Sequence, residues 1–565
     1  MKQTLYHIIP PAFRRRAWWV VLTIFLRALL NFVGVAALLP ILVLILDNRE
    51  QLAEGPLGGI YRWGGFSSAE AFIGVVALGV VVVILLKGVL NMALYSAERN
   101  YIFGLYRTLS RQLFLNYYHR GLDFIKHSNS AHLSRNVNGV TFSFVAGVLR
   151  PMATLLSESL LLLLIFGSIV WINGRVALMA MILFVPIALL YYYLVRRRLN
   201  RYGEVENRAH REKGRVVAES FRGYADVEIN GAFPLMLQRF DRAMQEIVEV
   251  QQRNATLGLL PSLLTEVGLA LGMALLLCVG GATHPEEVPL LFGLFAVAAL
   301  RLMPSIRSLL GAWASMKYNR YTIDILAESL DGEPERELQA EEEKFPFEQE
   351  ISLEGLSFHY EDDPLHKIFD GLSLKISRGE YLGIRGASGV GKTTLFNLLL
   401  GLYRPTEGEI LIDGKPLEEE NLKAWRSRVG YVSQSVFLMD GTFAENVALG
   451  LNREEIDTER VWEALRAARL DQFVASLKAG IDTPIGECGA RLSGGQRQRI
   501  GIARALYKGA DLLLFDEATS ALDNQTEEEV NRSIRALAEE RKEMTIVVIA
   551  HRETTLEGCD RIIEL

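Results

Sequence analysis

Tyr381-Leu-Gly-Ile-Arg385 runs directly into Gly386-Ala-Ser-Gly-Val-Gly391-Lys392-Thr393-Thr394 and then into Leu395-Phe-Asn-Leu-Leu-Leu400. A short apolar strand, a glycine-rich turn and an apolar helix follow one another, and the turn reads G-x-x-x-x-G-K-T. That pattern in that setting predicts a phosphate-binding loop. Glycines let backbone N–H groups converge on phosphate oxygens at the positive end of the following helix. Gly386, Ser388, Gly389, Gly391 and Thr394 are candidate nucleotide-binding residues. Lys392 reaches the terminal phosphates, and the Thr393 hydroxyl is placed for Mg²⁺.

A second stretch downstream complements the first. Asp511-Leu-Leu-Leu-Phe515 ends in Asp516-Glu517. Apolar residues followed by two carboxylates fit a buried parallel strand that delivers acids to its C-terminal edge. Asp516 can hold Mg²⁺ through water, and Glu517 can polarise a water for in-line attack on a γ-phosphate. From Ile351 onward, strand patterns (Ile351–Tyr360, Leu372–Ile376, Thr545–Ala550) alternate with helices, which predicts an α/β nucleotide-binding domain over 350–565.

The chain upstream is of another kind. Of 565 residues, half are hydrophobic and 22% charged, and nearly all the long apolar runs fall before about residue 312. Residues 1–345 carry 34 basic and 28 acidic side chains, a balance of +6; the remaining 26 basic and 38 acidic give −12, and the two sum to the net −6. An acidic second half argues against a nucleic-acid partner. Three scattered cysteines, Cys278, Cys488 and Cys559, suggest neither a disulfide framework nor a zinc site. A small secreted scaffold and a disordered chain are excluded on composition.

Six segments are long enough to cross a bilayer core: Ala17–Leu46, Ala71–Ala97, Met152–Trp171, Val176–Val195, Leu257–Ala282 and Val288–Ala314. The start reads as a retained first helix rather than a cleaved signal. Two long loops are basic, the first with Arg99, Arg107, Arg111, Arg120, Lys126 and Arg135, the second opening on Arg196-Arg-Arg198 and Arg201. The positive-inside rule puts both loops and both termini in the cytoplasm. Both loops keep helical periodicity, so the spans are expected to continue into the cytoplasm and turn on short transverse helices near Asn129–Arg135 and Arg222–Ala232. The domain organisation that follows is a membrane domain over 1–330, a charged linker over 331–349 and the nucleotide-binding domain over 350–565.

Ionisable residues inside the spans are Arg27, Lys87, Glu158, Glu266, Arg301 and Arg307. Each costs roughly 2.5–3.5 kcal/mol at mid-bilayer on insertion scales, so they should face the bundle interior or a water-filled cavity. Arg301 and Arg307 flank Pro304. They suit either an anionic substrate head group or internal bridges to Glu158 and Glu266, or Arg307 simply lies in the cytoplasmic end of its helix.

Leu492-Ser-Gly-Gly-Gln496, followed by Arg-Gln-Arg-Ile-Gly-Ile-Ala-Arg504, resembles the signature sequence of ATP-binding cassette (ABC) proteins, and the resemblance extends over essentially all of 350–565. It implies that Tyr360 stacks on adenine, that Gln434 senses Mg²⁺ and the attacking water, and that His551 contacts the γ-phosphate. It further implies that Glu487 meets the membrane domain, near whose contact the transverse helices would dock. Asp523, in Ser520-Ala-Leu-Asp523, communicates across a dimer. In that family two cassettes pair head to tail. Ser493, Gly494, Gly495 and Gln496 of one protomer then act on ATP bound to the other. One cassette and six spans imply a dimer, and an intact set of positions favours a homodimer. The resemblance ends at Arg561-Ile-Ile-Glu-Leu565, where such cassettes usually continue through a short turn and a helix.

Membrane domain before cassette resembles the exporter architecture. Phe295–Arg307 and the segment Leu57–Ser68 are similar to bacterial lipid-linked oligosaccharide flippases, whose substrates carry negative head groups. The expectation is ATP- and Mg²⁺-dependent flipping of such a lipid across the bacterial cytoplasmic membrane, with Arg301, Arg307 and Lys87 as substrate contacts. The alternatives are export of another lipid (lipid A-like) or an amphipathic drug, and a cassette that regulates a partner without transport.

Overall fold

A computed structural model describes residues 2–37, 58–63, 69–172, 174–275, 277–278, 288–330, 345, 347–517, 524–550 and 552–565. The chain divides into two compact units. One comprises Met1–Arg120 with Phe124–Glu335, the other Gly121–Asp123 with Arg336–Leu565.

The first unit is helical. Its long helices are Pro11–Ala36, Ala69–His119, Arg150–Ile172, Gly174–Arg222, Phe233–Leu275 and Val288–Tyr318, one for each apolar segment of the sequence. Among the described residues, four continuous helical stretches meet length and composition criteria for crossing a membrane: Pro11–Gly34, Glu70–His119, Ser130–Trp171 and Phe233–Leu275. The parts of the first, fifth and external segments that fall on 38–57, 64–68 and 279–287 lie outside the described residues, as does most of the charged linker.

Helix Ala69–His119 has 51 residues, so at 1.5 Å per residue it runs about 75 Å, far more than a bilayer core of roughly 30 Å. The surplus is packed. Leu105, Leu109 and Leu113, four residues apart on one face, are fully buried against Val140, Phe144 and Val148 of the returning chain and Leu326 of helix Tyr321–Leu330. A stripe at that spacing can bury only against another element. The basic loops are therefore helical bundle rather than solvated linker. Polar clasps hold it as well: Asn116 Nδ2 donates to the Ser329 carbonyl at 2.6 Å and Tyr117 meets the Ser329 hydroxyl at 2.7 Å.

The second turn falls where the sequence places it, with a short helix Tyr224–Ile229 between two long ones. The first needs correction. The chain reverses earlier, on helix Gly121–His127, and Asn129 is already the N-cap of the returning helix, its side chain accepting from the Ala131 N–H at 2.9 Å. Asn and Ser at 128–130 read as a break, but an Asn directly before a helical run is as much a start signal as a turn signal.

The span cations are mostly answered from within. Arg27 pairs with buried Glu98. Arg307 donates to Glu266 Oε1 at 3.2 Å and to Thr265 Oγ1 at 3.1 Å. A Cβ on Gly34 would lie 2.6 Å from Lys87 Cδ, so the lysine stem passes over that glycine. One carboxylate oxygen of Glu158 is buried with no hydrogen-bond partner among the described residues. The side chain of Arg301 lies outside the described residues.

The second unit is α/β, with two sheets. β1 (Glu350–Phe358), β2 (Phe369–Ser377), β4 (Glu407–Ile412) and β5 (Lys415–Pro416) form an antiparallel sheet in the order β2-β1-β4-β5. A parallel sheet in the order β6-β7-β8-β3-β9 contains β3 (Tyr381–Arg385), β6 (Val429–Val432), β7 (Leu512–Asp516), β8 (Thr545–Ile549) and β9 (Arg561–Glu564). Every residue of β7 and β8 is buried, as expected for central parallel strands covered on both faces. The register sets Asp516 beside Ile549 and Ile384 beside Ile549, so the C-terminal ends of β7, β8 and β3 share one edge. Open parallel sheets bind ligands at that edge.

Candidate active site

The loop after β3 takes the shape its glycines permit. Gly389 and Gly391 have φ of +87° and +105°, in the left-handed region that favours glycine. A Cβ at Gly391 would also come within 2.5 Å of Ile368. Helix Lys392–Leu399 starts immediately, with Gly391 as its N-cap. Lys392 is 5% exposed, and its ammonium donates to the Gly386 and Ala387 carbonyls, both at 3.0 Å. These bonds hold the cation inside the curve of the loop, where a phosphate would meet it.

Thr393 and Asp516 come together across the sheet edge: Thr393 Oγ1 donates to Asp516 Oδ1 at 3.1 Å. Tyr431, on β6, donates its hydroxyl to Asp516 Oδ2 at 3.1 Å. Asp516 is 3% exposed. Burial pushes its carboxyl above the usual range, against the lowering effect of its bonds to Thr393 and Tyr431. Burial likewise raises Tyr431 far above neutral pH, so it remains a donor. Tyr431 carries no motif of its own in the sequence. Its one signal there is its place in the strand-like Val429-Gly-Tyr-Val432, three residues before Gln434, and the structure sets that strand beside β7.

Mg²⁺ prefers hard oxygen ligands, one or two carboxylates plus substrate phosphates, and keeps several waters. The Thr393 hydroxyl and the Asp516 carboxylate, beside a loop built for phosphates, fit that demand, and the Gln434 side-chain amide can add an oxygen. Among the described residues there is no group of three or more His, Cys, Asp or Glu side chains that would hold an ion without phosphate.

Glu517 follows Asp516 with φ of +46°, a left-handed conformation costly for a residue with a Cβ. Its N–H donates to the Ile549 carbonyl at 3.1 Å, which fixes the turn. Its side chain accepts from Gln434 Nε2 at 3.1 Å. The strained turn points the carboxylate away from the buried strand toward Gln434, instead of back along the strand.

Tyr360 sits where β1 ends, its hydroxyl 2.7 Å from Thr394 Oγ1 and its ring edge-on to Phe358 and Tyr403 at 5.2 and 5.7 Å. The ring is thus fixed beside the loop. Ser493 caps the 15-residue helix Gly494–Lys508. Gln496 Oε1 accepts from the Ser493 N–H at 2.9 Å, and Ser493 Oγ accepts from the Gln496 N–H at 3.3 Å. This reciprocal box leaves the first N–H groups of the helix, from Gly494 and Gly495, at its positive end. Glu487 opens a one-turn helix Glu487–Gly489. His551 and Asp523 lie outside the described residues.

Asp516→Asn separates the chemical demand from the stability demand. A carboxyl whose folded pKa is raised favours the fold below its unfolded pKa, and that contribution is lost as pH rises through the folded pKa. At neutral pH the charged Asp516 therefore costs stability. Its removal is expected to leave the melting temperature of the nucleotide-free protein unchanged or higher, while Mg²⁺-dependent ATP turnover is lost. Calorimetry and a turnover assay on one preparation check both parts.

Residues 369–520 match the family model described as ABC transporter. Over 553 residues, 95% of this chain and 88% of the relative, the sequence is 32% identical to a protein of Bordetella avium (strain 197N) named ATP-dependent lipid A-core flippase. A protein of the same name from Burkholderia orbicola (strain AU 1054) is 32% identical over 465 residues, 81% of this chain and 76% of that one. In three dimensions the chain resembles a bacterial Atm1-family ABC exporter solved with ATP bound, with a TM-score of 0.74 and 23% identity over 98% of this chain and 94% of that one. That likeness shows the fold. The paired sheets, the phosphate loop with its buried lysine, the two carboxylates at the end of β7 and the preceding helical unit are what such a protein requires. The chain belongs to the ABC transporter family, as an ATP-hydrolysing half-transporter of the exporter type.

Proposed function

We propose that the protein flips a lipid-linked saccharide with an anionic head group across the bacterial inner membrane, driven by ATP and Mg²⁺, as a homodimer with both termini in the cytoplasm. Residues 1–330 form the translocation domain, 331–349 the linker and 350–565 the cassette. In the cassette, Tyr360 stacks the adenine, and Gly386, Ser388, Gly389, Gly391 and Thr394 cradle the phosphates. Lys392 binds the terminal phosphates. Thr393, Asp516 and Gln434 would hold Mg²⁺, which neutralises phosphate charge. Glu517 takes the proton of the attacking water, held toward Gln434, and His551 contacts the γ-phosphate. Ser493, Gly494, Gly495 and Gln496 complete the site of the other protomer, and Asp523 relays between them.

The observation that supports the substrate class is the placement of Lys87 and Arg307 on span helices, Lys87 across Gly34 and Arg307 shared with Glu266. Both are partly buried on apolar span helices, where a cation is costly and suits an anionic ligand. With Arg301 they are the proposed head-group contacts. A second reading, a lipid A-like substrate, draws on the names of the relatives.

ATP turnover in nanodiscs tests the class directly. A polyprenyl-diphosphate saccharide is expected to stimulate it, a zwitterionic phospholipid not. Stimulation by lipid A alone would move the substrate to the second reading, and equal response to all three would remove the head-group claim.

A further inference from the structure

Helices Pro11–Ala36, Ala69–His119 and Arg150–Ile172 border a cavity of about 550 Å³ in the helical unit, lined by Arg27, Asn91, Tyr95, Glu98, Arg150 and Thr154. That volume falls within the roughly 300–1,000 Å³ usual for ligand sites, but the wall is polar where such sites are mostly apolar. Arg27 pairs with Glu98, which is 3% exposed, and the two charges cancel. Tyr95 steadies the cations. The Arg27 and Arg99 guanidinium carbons stand 5.0 and 5.6 Å from its ring centre, and Arg150 Nη2 donates to its hydroxyl at 3.3 Å.

Two buried polar atoms of the lining residues have no hydrogen-bond partner among the described residues, the donor Arg27 Nε and the acceptor Asn91 Oδ1. Leaving such a buried group unmatched is costly. Thr154 Oγ1 donates to the Arg150 carbonyl at 3.2 Å and keeps its lone pairs, and the exposed Arg150 has further N–H groups to give. The wall therefore offers donors and acceptors together. An acyl chain would satisfy none of them. A phosphate only accepts, so it leaves the Asn91 oxygen unmatched and adds negative charge beside Glu98. A hydroxyl both donates and accepts, and a saccharide carries several at fixed spacing.

We propose that this cavity is a saccharide subsite, in which Asn91, Thr154, Arg27 and Arg150 bind sugar hydroxyls, an inference that rests on the lipid-linked saccharide reading above. Asn91 lies one helical turn, about 6 Å, from Lys87 on the same face of helix Ala69–His119. A diphosphate at Lys87 brings the first sugars of the same molecule to Asn91, on the side of the basic loop that follows. Gly88 also lines the cavity, and a Cβ there would meet nothing within 4 Å. A leucine at 88 therefore has room to enter the space that the sugar would occupy.

The full-length protein in nanodiscs is titrated with a polyprenyl-diphosphate oligosaccharide and, separately, with the same polyprenyl diphosphate without sugar, and the half-stimulating concentration for ATP turnover is read. Asn91→Leu and Gly88→Leu are compared with Gly79→Leu, on the same helix and also in open space but outside the cavity lining, with thermal unfolding of each. In the unaltered protein the sugar-bearing lipid is expected to act at a roughly 10-fold lower concentration than the sugar-free one. Asn91→Leu is expected to raise the concentration needed of the sugar-bearing lipid by roughly 2- to 12-fold, the worth of one hydrogen bond. Gly88→Leu is expected to remove the advantage of the sugar altogether. In both, the value for the sugar-free lipid should move by less than about twofold, and Gly79→Leu should respond as the unaltered protein does. Equal response of the unaltered protein to both lipids overturns the proposal, as does a sugar advantage kept in Asn91→Leu and Gly88→Leu. A loss shared by the sugar-free lipid, or by Gly79→Leu, overturns it too. Either of the two cavity variants decides the matter if the other does not fold. Stimulation by neither lipid would instead overturn the lipid-linked saccharide reading, and this inference with it.

Discussion

Glu517→Gln is expected to reduce ATP turnover by about 10²- to 10⁴-fold, the usual contribution of a placed general base, while leaving ATP affinity nearly unchanged. The replacement keeps the shape of the side chain and can keep its contact with Gln434 by turning the amide. It removes only the ability to take a proton from water. The strained turn at φ of +46° and the anchor from its N–H to Ile549 lie in the backbone, so they survive the substitution. Equilibrium binding of ATP with Mg²⁺, set beside turnover on the same sample, shows the split. A turnover loss matched by a binding loss would mean that Glu517 holds nucleotide rather than acting on water.

Lys392→Ala should show the opposite pattern. The residue is almost wholly buried and its ammonium is anchored by two loop carbonyls at 3.0 Å, so it is aimed before nucleotide arrives. Hydrogen bonds to charged groups contribute about 1.5–3 kcal/mol, which predicts roughly 10- to 150-fold weaker ATP binding. The two carbonyls lose their donor as well, and the loop is expected to lose its curvature. Turnover then falls chiefly through affinity, and raised ATP concentration recovers part of it. A rate that stays low at saturating ATP with normal affinity would contradict the role of Lys392 in binding.

Much of this arrangement is legible in the sequence because local pattern and chemistry coincide. The strand Tyr381–Arg385 has the same bounds in the structure, and the phosphate loop with its helix follows it directly. Asp516, read as lying just past its strand, is the last residue of β7, which explains its burial and its raised pKa. What escapes the sequence depends on neighbours in space. Tyr431 looks like an ordinary strand aromatic until β6 lies beside β7 and its hydroxyl meets Asp516. Glu527 looks like a helix-start acid until Arg552 and Thr555 arrive from 25 and 28 residues away. In the helical unit the periodicity of the long loops is correct, but the first reversal sits at Gly121–His127 instead of Asn129–Arg135. A cluster of small polar residues marks a helix start as well as it marks a break.

The proposed movement of an anionic, saccharide-bearing lipid between leaflets, driven by ATP hydrolysis in the cassette, can be followed directly. Proteoliposomes that hold the protein and a labelled polyprenyl-diphosphate oligosaccharide test it, with leaflet position read by accessibility of the label to an added reagent. ATP-dependent movement of the label is expected, stopping in Glu517→Gln, and stopping in Arg301→Ala while ATP turnover continues. Steady ATP turnover with the lipid left in its original leaflet would contradict it.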